Sequence, residues 1–138
     1  MEILPKTRIQ VSLRQLENKQ ILGQAGLHSL ITDRKIEDGG QELGFTSSEL
    51  LLLAIGSCAL ANIRKCACEH AINIMPIELA VQYKENPNGA RDLIEIILIL
   101  RKDLGLAEFE LIAKAARSGG VTGRLNELSG LVVSKIIK

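Results

Sequence analysis

Residues Ser47–Ile63 read SSELLLLAIGSCALANI, and the last fourteen of them, Leu50–Ile63, carry no charge. Thr46, Ser47 and Ser48 offer hydroxyls that cap a helix N-terminus, and Glu49 adds negative charge near the first turn. The spacing predicts a helix from here to about His70, some 22 residues and about 33 Å long. Its first half is apolar all round, while Arg64, Lys65, Glu69 and His70 close its end. A helix apolar on every side must be enclosed. A chain of 138 residues can hardly wrap one completely, so a second subunit is expected to cover it, and the chain is read as a homodimer. The uncharged run is shorter than the roughly 18 residues needed to span a bilayer, which favours a core helix over a membrane span.

On the N-terminal side, Met1–Gln15 carries Ile9, Val11 and Leu13 at period two, and Gln20–Gln24 and Leu27–Ile31 are short apolar pieces separated by glycines. They predict three short antiparallel strands. Thr32–Phe45 (TDRKIEDGGQELGF) is polar and glycine-rich, as an irregular loop beside a site would be. On the C-terminal side, apolar residues alternate over Ile72–Lys84, Asn86-Pro87-Asn88-Gly89 turns the chain, and Leu93–Leu100 is apolar except for Glu95. This is a long hairpin. Leu106–Arg117 has helical spacing, with Asp103 as a cap and Gly119-Gly120 as its stop. Val121–Leu128 is expected to form a short helical turn and Leu131–Ile137 a last strand. The order βββ-α-ββ-α-(α)-β is α+β in one domain spanning 1–138.

Composition narrows the function classes. Seventeen basic against sixteen acidic residues leave no phosphate-tracking stripe, and Tyr83, Phe45 and Phe109 are too few to stack bases, so nucleic acid is not an expected partner. Cys58, Cys66 and Cys68 are an odd number in one short segment, unlike a secreted disulfide framework, and Met1–Arg8 lacks a signal-peptide pattern. Reduced thiols and a cytoplasmic location are expected. Gly39-Gly40 lacks the spacing of a phosphate loop, and His28 has no partners for a hydrolase triad. Cys66, Cys68 and His70 on one helix diverge, so no metal and no cofactor is expected.

The order of elements, together with Gly39-Gly40, Glu49-Leu50-Leu51, Gly56 and Cys58, resembles the OsmC/Ohr family of thiol-dependent peroxide-stress proteins over nearly the whole chain. The resemblance implies antiparallel sheets wrapped around two central helices in an intertwined homodimer. It also implies that Cys58 is the thiolate that attacks a hydroperoxide, and that an arginine paired with a glutamate supplies the positive charge this thiolate needs. Glu49 matches the glutamate, and Arg34, before the glycine-rich loop, is the nearest arginine. Nine residues separate Glu49 from Cys58, about 13.5 Å and half a turn on one helix, so they meet only if the glutamate comes from a partner subunit.

The chain departs from the family at Gly119-Gly120-Val121, where a Cys-Pro-Val-type motif would supply the resolving thiol. Cys66 and Cys68 lie about 12 and 15 Å along the helix from Cys58, beyond the roughly 7 Å a disulfide allows between Cα atoms. A two-cysteine cycle is therefore not expected. A one-cysteine hydroperoxide reductase that depends on an external thiol, with a small hydrophobic hydroperoxide as substrate, is one reading. The other is a dimer of the same fold without a redox cycle, which binds a small molecule or is purely structural.

Overall fold

The computed structural model describes residues 9–74, 76–120, 123–124 and 130–137. The elements run β1 (Ser12–Gln15), β2 (Ile21–Ala25), β3 (His28–Thr32), α1 (Ser47–Glu69), β4 (Glu78–Lys84), β5 (Leu93–Leu100), α2 (Leu106–Arg117) and β6 (Gly130–Ile137). Two compact units are present, Met1–Leu50 and Leu51–Lys138.

In the first unit β1, β2 and β3 form an antiparallel meander in the order β1-β2-β3. Ala25 pairs with His28, which leaves Gly26-Leu27 as a two-residue turn, and Gly26 takes the positive φ (59°) that this turn needs. The loop after β3 is irregular apart from a 3-10 turn at Ile36–Asp38, and Asp33 organises it. The Asp33 carboxylate, 4% exposed, accepts backbone N–H groups from Arg34 (2.7 Å), Gln41 (3.2 Å) and Leu43 (3.1 Å). A polar residue thus holds the loop where apolar packing is thin.

The second unit contains nearly all of α1 and a sheet of order β4-β5-β6. Side chains alternate along β5, burying Ile94, Ile96, Leu98 and Leu100 on one face. Against them pack Ile55, Ala59, Ile63 and Ala67, one stripe of α1 at four-residue spacing, with Ile112 and Ala116 of α2. Small residues let α1 come close, and a Cβ on Gly56 would lie 2.9 Å from Val81 Cγ2.

Four expectations are revised. β4 starts at Glu78 rather than Ile72, because Pro76 offers no N–H for a ladder and the chain pairs only beyond it. β6 pairs with β5 in parallel, not antiparallel, because α2 returns the chain to the end of the sheet where β5 began. Asp103 does not cap α2. The N-cap is Gly105, with no side-chain cap, and Asp103 instead pairs with Lys135 at 3.6 Å. Finally, the uncharged run understates α1, whose 23 residues are by length and composition enough to cross a membrane, as many core helices are. Only one stripe of it is buried within the chain, and Leu51 and Leu53 remain 53% and 52% exposed. The turn expected at Val121–Leu128 lies outside the described residues apart from Gly123 and Arg124; Gly123 N–H donates to Gly119 O at 3.0 Å.

Candidate functional site

Cys58 sits half-buried in the middle of α1, one turn before Asn62. Residues four apart on a helix share a face, and Asn62 Nδ2 lies 3.9 Å from Cys58 Sγ. The same nitrogen donates to the carbonyl of Ser118 at 2.8 Å, where α2 ends. An amide nitrogen has two hydrogens, so the carbonyl takes one and the other is free for the sulfur. After Ser118 the chain turns through Gly119 (φ 97°) and Gly120 (φ 58°), conformations that side-chain-bearing residues rarely adopt. A Cβ on Gly120 would stand 4.0 Å from Cys58 Sγ, and one on Gly119 would stand 3.5 Å from Asn62 Oδ1. The glycine pair that occupies the place of the implied Cys-Pro therefore lies directly over Cys58 and Asn62. Val121, which completes that motif, lies outside the described residues.

Glu49 and Arg34 belong to the first unit, where Glu49 is engaged locally. Its Oε1 accepts Thr46 Oγ1 at 2.9 Å and Thr46 N–H at 3.4 Å, while Glu49 N–H donates to Thr46 Oγ1 at 3.2 Å. This reciprocal capping box starts α1. The hydrogen bond from the Thr46 hydroxyl, together with the nearby Lys35 ammonium, holds the Glu49 carboxyl below its ordinary range. Its cation is Lys35, at 3.6 Å, not Arg34. Lys35 also meets Glu42 at 3.1 Å, and that hydrogen bond is the main reason its pKa is raised. Arg34 is exposed and makes no ion pair among the described residues. The Thr46-x-x-Glu49 spacing was readable as a cap. Lys35 carried no local signal, because only closure of the glycine-rich loop brings it to the helix start.

A cavity of about 690 Å³ opens beside Glu49, lined mostly by apolar residues including Leu22, Leu30, Ile31, Leu43 and Phe45. A second cavity, of about 330 Å³, lies between α1 and α2 and includes Asn62, Ser118 and Gly119 in its wall. Cys66 is buried, its sulfur 3.9 Å from His70 Nδ1, and burial pushes its thiol pKa up. Cys68 is exposed, and all three cysteines are free thiols. No group of three His, Cys, Asp or Glu side chains among the described residues is arranged to hold a metal ion.

No curated protein matches the chain in sequence. Among solved structures, an OsmC-like protein from Mycoplasma pneumoniae superposes with a TM-score of 0.75 at 16% identity, covering 97% of this chain and 98% of that one. The organic hydroperoxide resistance protein OsmC of Legionella pneumophila gives 0.67 at 14% identity over 98% and 99% of the two chains. The organic hydroperoxide resistance protein OhrB of Bacillus subtilis gives 0.62 at 18% identity over 96% and 98%. At these identities the likeness speaks for the fold. The OsmC-like protein family model matches residues 39–125, from the glycine-rich loop through α1, the hairpin and α2 to the turn over Cys58, and the chain belongs to that family.

Proposed function

We propose that the chain is a one-cysteine, thiol-dependent hydroperoxide reductase that acts as a homodimer of single OsmC-like domains. The observation that carries this reading is the placement of Cys58 on α1, half-buried, with the Asn62 amide of the same helix beside its sulfur and a turn over it in which glycines stand where a second thiol would be. The Cys58 thiolate attacks the distal peroxide oxygen, the O–O bond breaks, and the alkoxide leaves with a proton as the alcohol. The product is a Cys58 sulfenic acid. With glycine at 119 and 120, an external thiol must then reduce it. A cytoplasmic location, where free thiols persist, suits such a cycle.

Two features support the dimer. Leu51 and Leu53 leave an apolar face of α1 open to solvent, as do Leu13 of β1, Val11 just before it and Leu27 in the turn between β2 and β3. Antiparallel packing of two α1 helices across a two-fold axis would carry Glu49 of the partner subunit toward Cys58, with Arg34 and Lys35 as the cations of its loop. It would also set the apolar cavity beside Glu49 near the sulfur, which favours organic hydroperoxides over hydrogen peroxide.

A second reading, a dimer of the same fold that binds a small molecule without redox turnover, draws on one observation. The Cys58 sulfur's hydrogen-bond partner among the described residues is the neutral amide of Asn62. The deciding experiment mixes reduced protein with one equivalent of cumene hydroperoxide and locates the oxidation by peptide mass spectrometry, with Cys58→Ser as control and light scattering for the oligomeric state. Trapped sulfenic acid at Cys58 within seconds is the expected result. A Cys58 that stays reduced over minutes overturns the reductase and leaves the binding dimer.

A further inference from the structure

The cavity between α1 and α2 borders Cys58 through Asn62, which touches both. Asn62 reaches the sulfur with its amide, and Ser118 and Gly119, which lie against Asn62, form the cavity's wall next to Gly120, where an added Cβ would stand 4.0 Å from the sulfur. Neither Gly119 nor Gly120 puts a side chain between the two. At about 330 Å³ the space falls in the range of small-molecule sites. Leu111 and Ala115 give it an apolar floor, and its charges are two ammoniums, Lys65 on α1 and Lys114 on α2, and one carboxylate, Glu69. None of these three makes an ion pair among the described residues. Two cations and one anion around a small cavity complement a ligand with carboxylates and an ammonium, the charge pattern of an amino-acid thiol.

We propose that this cavity docks the reductant, and that the reductant is a low-molecular-weight thiol carrying carboxylate and ammonium groups, of which glutathione is the type. The proposal rests on Cys58 being the reacting thiol of the reductase. The docked thiolate attacks the sulfenic sulfur of Cys58, an S–S bond forms, the S–O bond breaks, and hydroxide leaves as water after taking a proton. A second thiol then attacks the sulfur of the docked moiety. It carries that moiety away as a symmetric disulfide and returns Cys58 as thiolate. Lys65 and Lys114 hold the carboxylates, and the missing side chains at 119 and 120 leave the line of attack open.

The test uses thiol–disulfide exchange, which requires no peroxide. Reduced full-length protein is mixed separately with glutathione disulfide, neutral 2-hydroxyethyl disulfide and cationic cystamine. Formation of the mixed disulfide at Cys58 is followed by peptide mass spectrometry, and each rate is divided by that of the same chain in urea. Folded protein should favour glutathione disulfide over the neutral reagent by about tenfold, and cystamine should be slowest. Lys65→Gln with Lys114→Gln, both exposed positions, should abolish the preference, and Lys65→Glu alone should turn it toward cystamine. Equal normalised rates, a preference unchanged in the lysine variants, or a Cys58 inert to all three reagents would each overturn the proposal. The cumene hydroperoxide experiment fails or succeeds independently, so a selective exchange without peroxide oxidation would sink the reductase and keep the docking site.

Discussion

Asn62 Nδ2 lies within hydrogen-bonding reach of two groups that the chain sequence separates by sixty residues, Ser118 O at 2.8 Å and Cys58 Sγ at 3.9 Å. The amide ties the last turn of α2 to the middle of α1 and fixes the distance between Cys58 and the glycine turn. Asn62→Ala should lower unfolding stability by about 1 kcal/mol, read from urea titration. Asn62→Asp should cost more, because a carboxylate has no hydrogen for the Ser118 carbonyl and its charge opposes a neighbouring thiolate. Iodoacetamide should therefore alkylate Cys58 more slowly in Asn62→Asp than in Asn62→Ala.

Gly56 faces Val81 so closely that an added methyl would stand 2.9 Å from its Cγ2. Gly56→Ala should destabilise by about 1 to 3 kcal/mol through overpacking, despite the higher helix propensity of alanine. Val81→Ala in the same chain should restore part of the loss. If the two substitutions simply add, the close approach of α1 to β4 is not the cause.

Acid should loosen the first unit early. Burial works to raise the Asp33 pKa, but hydrogen bonds from the backbone N–H groups of Leu43, Arg34 and Gln41 and from Gln20 outweigh it and hold the group below its ordinary value. Glu49 is lowered as well, by Thr46 and Lys35. A carboxyl depressed in the folded state stabilises fully above its unfolded pKa, near 4, and that stabilisation disappears as pH falls through the folded value. Stability should therefore drop below about pH 4, and Asp33→Asn should both lower it at neutral pH and flatten the acid slope. Tm measured from pH 7 to pH 3 checks both.

The thiols should separate by environment. Burial, helped by Glu69, raises the Cys66 pKa, whereas Cys68 is exposed. At pH 7.5 Cys68 should react with a maleimide about tenfold faster than Cys66 or more, and the gap should close in urea. Peptide mapping against time gives the order.

Much of the fold was legible because its signals are local. Thr46 and Glu49 three residues apart mark the start of α1, Gly26 marks a tight turn, and alternation along β5 marks its buried face. The start of β4 and the direction of β6 were not, since ladder partners decide them. Of the candidate site, Cys58 and the glycine pair at 119 and 120 could be named from the chain alone, but their proximity could not. The Lys35–Glu49 pair was missed because its members lie in different local patterns.

The sequence by itself determined the order of helices and strands, that Cys58 lies in the uncharged stretch of α1, and that no cysteine stands at 119 or 120. Those properties depend on residue type and short-range spacing. Tertiary structure alone decided that Asn62 reaches Ser118, that Lys35 stands 3.6 Å from Glu49, and that Lys65 and Glu69 of α1 share a cavity with Lys114 of α2. Contacts between residues in different elements depend on how α1, α2 and the loops pack, and no local pattern encodes that packing.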